Sequence, residues 1–200
     1  MPSEVRIYFE GHKKLRRGFH EFLRGVREAG RSRRMAITAI PCDALPLDEF
    51  TRALKRHPNA LCLLLVDSEC PVAVGNPWDH LNRRDQNRLG KPSGAAEHQA
   101  HLMVQIMESW FLADKEVLES YYGKGFASTK LPNRPDIENV PKADVLRALK
   151  DATQRTGKRD YHKTAHAPDL LGRINPDKVR RASSWCDRLF TTIEQAIQTP

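Results

Sequence analysis

One stretch restricts this chain more than any other. Residues 61–67 read LCLLLVD: six apolar residues in unbroken succession, then an acid. A strand with one wet face alternates apolar and polar side chains. A run with no polar break needs cover on both faces, as a strand inside a parallel sheet has. Extended back to Ala60, it is also the longest apolar run in the chain. Nothing approaches the ~18 apolar residues of a membrane helix.

The sequence before this strand alternates two periods. Val5 to Phe9 is a short β-favouring run ending at Glu10-Gly11. Leu15, Phe19, Phe22, Leu23 and Val26 then recur at helical spacing, with Lys13, Lys14, Arg16, Arg17, Arg24 and Arg27 on the remaining surface. One amphipathic helix is expected, ended by Gly30 as a C-cap. Met35 to Ile40 reads as a second strand closed by Pro41, and Leu47 to Arg56 as a second helix. The order β-α-β-α-β predicts a doubly wound, open α/β sheet of about four mostly parallel strands, with helices on both faces.

Residues 68–96 are rich in Pro, Gly, Asn and Arg and read as a long connection, with a short helix at Trp78 to Asn87. Residues 98–112, HQAHLMVQIMESWFL, support two readings. Leu102, Val104 and Ile106 alternate as in a strand ending near Met107; a helix would instead put His101, Gln105 and Glu108 on one stripe. The expectation is a fourth strand, then a helix from about Glu108. Asp114 would N-cap a segment ending at Gly123. Beyond it, Pro141 to about Gln154, Asp169 to Arg173 and Ser184 to Gln198 read as helices, and 157–166, GKRDYHKTAH, as a polar basic loop. This divides the chain into an α/β core over 1–123 and a helical extension over 124–200 packed on it.

Charge and cysteine usage narrow the function classes. The net charge is +8. Residues 1–34 hold ten Lys and Arg against four acids, and residues 141–190 hold twelve against six. Between them, residues 35–140 hold eleven against fourteen. Basic ends around an acidic middle suit a polyanion partner with carboxylate chemistry at the centre. Cys42, Cys62, Cys70 and Cys186 are scattered, with no CxxC pair. His98 with His101, and His162 with His166, have ligand-like spacing but no cysteine pair beside them, so zinc is not indicated. Without a signal-peptide layout, reduced thiols in a cytoplasmic protein are expected.

In an open α/β sheet, ligands gather at the carboxyl ends of the strands. The first strand ends at Glu10, the third at Asp67-Ser68-Glu69, and the fourth brings Glu108 to the same edge. Extended alternation would put Asp67 and Glu69 on one side. Converging carboxylates repel, and a divalent cation with oxygen preference relieves that. Gly11 suits a tight strand-to-helix turn. No GxxxxGK[ST] and no GxGxxG is present.

These residues carry a resemblance. IYFEG followed by a basic amphipathic helix, then LLLVDSE, resembles the Toprim superfamily, in which one strand ends in glutamate before glycine and a later one in Asp-x-Asp. Glu10 matches the glutamate and Asp67 the first aspartate; Glu69 stands in place of the second, longer by a methylene. HLMVQIMESWFLAD and GKRDYHK look like the divergent Toprim-like proteins of bacterial defence islands, the RloB-like group and a sister family. The resemblance implies a Toprim-like nuclease of anti-phage defence, hydrolysing phosphodiesters in DNA or RNA. It implies one or two Mg²⁺ or Mn²⁺ at Glu10, Asp67 and Glu69, with Glu108 completing the site or acting as a base. A partner ATPase of the AAA or SMC-like type is implied, with homo-oligomerisation possible. Lys158, Tyr161 and Lys163, with Lys13 and Lys14, are the candidate phosphate contacts; Lys163 also counts among the candidate catalytic residues. Arg83, Arg84 and Arg88 could steer nucleic acid. The competing reading is a non-catalytic nucleic-acid- or partner-binding subunit on the same scaffold.

Overall fold

The computed structural model describes residues 2–73, 75–84 and 90–199. Strands β1 (Glu4–Glu10), β2 (Ala36–Cys42), β3 (Ala60–Asp67) and β4 (Ala100–Met103) form one sheet in the order β2-β1-β3-β4. Every pairing is parallel, and Leu65 lies opposite both Phe9 and His101. The expected α/β sheet of about four parallel strands, with helices on both faces, is the architecture observed. Pro41 continues β2 instead of closing it. That is tolerated because β2 is an edge strand, where a missing N–H leaves no central ladder broken.

Period-two alternation sorts the core into two. Val5, Ile7, Phe9, Leu63, Leu65 and Met103 belong to one apolar cluster; Tyr8, Cys62, Leu64, Val66 and Leu102 belong to the other. No residue from Cys62 to Val66 is more than 2% exposed. Each fully buried leucine contributes ~1.5–3 kcal/mol, so β3 anchors the sheet from both sides.

The first cluster is covered by α1 (Leu15–Phe22), α2 (Arg24–Ser32) and most of the chain after β4. The single helix expected over this region is two, broken at Leu23, a fully buried residue at φ −92°, ψ 9°. Gly30 lies inside α2, not after it. The left-handed residue that ends the turn is Arg34, at φ 59°. The second cluster is covered by α3 (Pro46–Arg56) and α4 (Pro77–Arg84).

After β4 the backbone leaves the sheet at once. A 3-10 helix, Met107–Ala113, replaces the α-helix expected from Glu108. Then come α5 (Lys115–Tyr122), α6 (Lys142–Thr153), α7 (Lys163–Leu171), α8 (Pro176–Ala182) and α9 (Ser184–Gln198). Asp114 precedes α5 but does not cap it; its carboxylate takes the Asn175 amide and the Lys178 ammonium instead. The expected polar loop holds for 157–162, exposed except at the buried Tyr161, but α7 has already begun at Lys163. α7 lies against α1 at Gly18, where a Cβ would come within 2.5 Å of the Pro168 carbonyl oxygen. Arg188 of α9 donates to the Ala100 carbonyl at 2.6 Å, tying the C-terminal helix to β4.

Candidate active site at the carboxyl edge of the sheet

β1 and β3 end side by side, and their last residues are Glu10 and Asp67. The Asp67 amide donates to Glu10 Oε2 at 3.2 Å. Gly11 follows at φ +149°, and a Cβ there would meet Leu15 at 2.7 Å. Only glycine makes that turn cheaply, so the β1 carboxylate stays at the edge.

Asp67 Oδ1 accepts the Met107 amide at 2.8 Å. That N–H is one of the donors a helix leaves free in its first turn. Asp67 therefore fixes the start of the Met107–Ala113 helix and sets the next residue, Glu108, beside itself. Glu108 is wholly buried. Its Oε1 accepts from the Tyr161 hydroxyl at 3.1 Å, and its Oε2 has no partner. Tyr161 is held in turn by its amide, which donates to Thr153 Oγ1 at 2.7 Å. Lys163, the first residue of α7, brings its ammonium to 3.6 Å from Glu108 Oε1 and 3.9 Å from Asp67 Oδ2. Arg84, the last residue of α4, lies 3.8 Å from Glu10 and donates to the Asp67 carbonyl.

Electrostatics follows from burial. Asp67 is held well above the usual carboxylate range, first by burial; Lys163 opposes the shift, and Glu108 and Glu10 add to it. Burial pulls Lys163 down, but Glu108, Asp67 and Glu10 outweigh it and hold the ammonium above its ordinary value. Burial, then Glu108, pushes the Tyr161 hydroxyl far up, so it stays a donor. This is a buried carboxylate pair with one partly exposed ammonium between its members.

The other expected site residues go elsewhere. β3 stops at Asp67, and Glu69 takes φ 65°. Alternation holds only for extended backbone, so Glu69 does not return to the Asp67 side; it pairs with Lys142 of α6. Tyr161 is too buried to touch a phosphate and acts on Glu108. Lys158 lies 4.8 Å above the Tyr121 ring. Lys13 and Lys14 are exposed and line a shallow basic surface with Arg16, Arg17 and Arg27 of α1 and α2. Arg83 is exposed on α4, while Arg88 and the expected end of that helix at Asn87 lie outside the described residues. His162 and His166 serve the start of α7, the His162 amide donating to His166 Nδ1 at 3.1 Å. Sequence reasoning missed Lys142, which has no motif around it.

Among the described residues, no three His, Cys, Asp or Glu side chains are grouped closely enough to hold a metal ion by themselves. Mg²⁺ does not require that; it is commonly held by one or two carboxylates, with waters and substrate phosphates completing the shell. Asp67 and the unpartnered Oε2 of Glu108 are hard, buried oxygen donors of the right kind, so the residues fit such an ion. Glu69, engaged with Lys142, stands outside that pair.

The family described as "Domain of unknown function (DUF4276)" matches residues 12–194. No curated protein matches the chain. Among solved structures, the C-terminal region of the Xanthomonas campestris pv. campestris OLD protein is similar at a TM-score of 0.46 and 14% identity, over 98% of this chain and 96% of that one. No helix among the described residues is long and apolar enough to cross a membrane.

Proposed function

The chain belongs to the DUF4276 family, and we propose that it is a divalent-metal-dependent phosphodiester hydrolase, a Toprim-like nuclease acting on DNA or RNA. One observation carries the reading. A wholly buried carboxylate, Glu108, keeps an unpartnered oxygen beside a second buried carboxylate, Asp67, at the edge where parallel α/β sheets bind ligands. A buried polar atom left unpaired costs ~1–3 kcal/mol, more if charged, and such a cost is tolerated where a ligand repays it.

Asp67 and Glu108 would hold Mg²⁺ or Mn²⁺. When bound, the ion supplies Lewis-acid stabilisation of the phosphoryl charge and a more acidic water. Tyr161 holds the Glu108 side chain by donating to Oε1, which leaves Oε2 without a protein partner. The Lys163 ammonium sits within reach of both carboxylates and is half exposed, which suits it to pair with a non-bridging phosphate oxygen as charge builds there. Glu10 stands next to Asp67 on the neighbouring strand and can take a proton from the attacking water. The basic surface at Lys13 and Lys14 would bind flanking phosphates without reading sequence. The Toprim resemblance extends this proposal to a cytoplasmic anti-phage effector working with an AAA or SMC-like ATPase.

A second reading, a non-catalytic binding subunit, is favoured by Lys163 itself, which already neutralises part of the carboxylate pair. Cleavage of plasmid DNA and of tRNA in Mg²⁺ or Mn²⁺ separates the two. The nuclease reading expects metal-dependent cleavage that Asp67→Asn and Glu108→Gln each reduce at least about a hundredfold. Binding without cleavage, sensitive only to Lys13 and Lys14, would support the second reading.

A further inference from the structure

A cavity of about 250 Å³ opens next to Glu10 on the α3/α4 side of the sheet. Its floor is Leu64 and Val66 of β3, and its wall is Trp78 and Leu81 of α4. Its charged lining residues are Glu10, Asp48 and Arg84, and Glu10 and Arg84 also border Asp67. The wall is preset: the Trp78 indole N–H donates to the Ala96 carbonyl at 3.0 Å, and its ring packs on Phe50 at 5.9 Å. The rim carries Leu45, 59% exposed, the one exposed large apolar side chain among the described residues. An apolar slot with an exposed leucine at its lip and mixed charge in its lining suits a flat ring with polar edges.

We propose that this cavity receives an unpaired nucleobase adjoining the phosphodiester held at the carboxylates, so that the substrate is single-stranded or has a base turned out of its stack. The proposal rests on the hydrolase reading, because the carboxylates place the phosphate and Glu10, which accepts the Asp67 amide, also lines the cavity. Stacking buries the ring faces in a duplex, and a slot lined by α3 and α4 admits only a base freed from the stack. Stacking of a base face on an aromatic side chain such as Trp78 tolerates any base identity, so this pocket selects strandedness before sequence.

The test compares the four nucleoside 5′-monophosphates with ribose 5-phosphate, titrated into the full chain in Mg²⁺ by calorimetry. The proposal expects the nucleotides to bind about tenfold tighter than the base-free sugar phosphate. Leu47→Trp, which fills the cavity from α3, should abolish that difference and leave ribose 5-phosphate binding as it was. Leu45→Ser, at an exposed position where folding is not at risk, should reduce it about threefold. Equal binding of nucleotides and ribose 5-phosphate to the wild type overturns the base pocket and leaves the hydrolase reading intact. Failure of all five ligands to bind overturns both. A preference that survives both substitutions places the base elsewhere and also overturns the proposal.

Discussion

The two faces of the sheet differ in the size of the core that covers them. On the α1/α2 face, Phe22 stacks on Trp110 at 5.1 Å, Phe9 meets Phe19 at 4.1 Å, and Phe190 closes edge-on against Phe22. Trp110 is wholly buried, the largest side chain to be so. On the α3/α4 face, the cluster of Tyr8, Phe50, Leu64 and Trp78 is smaller and leaves the cavity beside Glu10. Residues of β3 alternate between these faces one by one. A single strand therefore divides its side chains between a closed core that supplies stability and an open one that can admit a ligand, and then ends in the acid that serves chemistry.

The comparison breaks most directly by truncation. Phe22→Ala on the closed face should cost ~3–5 kcal/mol in urea unfolding, while Leu47→Ala should cost no more than about 1 kcal/mol, since Leu47 is only partly buried and borders the cavity. Similar costs would mean that the faces are equally packed. Acid sharpens the picture next. His101 shares parity with Met103 on the closed face, is wholly buried, and has its pKa lowered to about 3 by burial, with Arg188 and then His98 adding to that against a backbone bond. Its lowered value means that stability is intact above ~6.5 and is lost as pH falls toward 3. At pH 4.5 that is about 2–3 kcal/mol, at ~1.4 kcal/mol per unit. His101→Gln should flatten this acid limb; an unchanged limb would place the acid sensitivity in other groups. Smallest is Gly18→Ala. Alanine usually stabilises a helix by ~1 kcal/mol over glycine, but here its Cβ would meet the Pro168 carbonyl, so about 1–2 kcal/mol of destabilisation is expected. A stabilised variant would show that α1 and α7 can part freely, and with them the support of Lys163.

Much of this was legible in the sequence where one local rule decided the outcome. The unbroken run at 61–66 located β3 and required cover on both faces. Glu10 before Gly11 located the edge because only glycine makes that turn. What was not legible depends on distant contacts. Glu69 departs from the expected side because alternation ends with β3 and the residue itself is left-handed. Glu108 reaches the expected edge by another route: through the Met107 amide of a 3-10 helix bonded to Asp67, not through β4. Tyr161 reads as a loop residue in a basic stretch, and only the packing of α6 and α7 buries it against Glu108. No spacing within 157–166 reveals a partner 53 positions away.

The measurement closest to the central claim is Mn²⁺ binding by calorimetry to the wild type and to Asp67→Asn, Glu108→Gln and Glu69→Gln, each verified as folded. The account predicts binding that Asp67→Asn and Glu108→Gln abolish and Glu69→Gln leaves nearly unchanged. Binding that survives the first two substitutions, or is lost with Glu69→Gln instead, would contradict it.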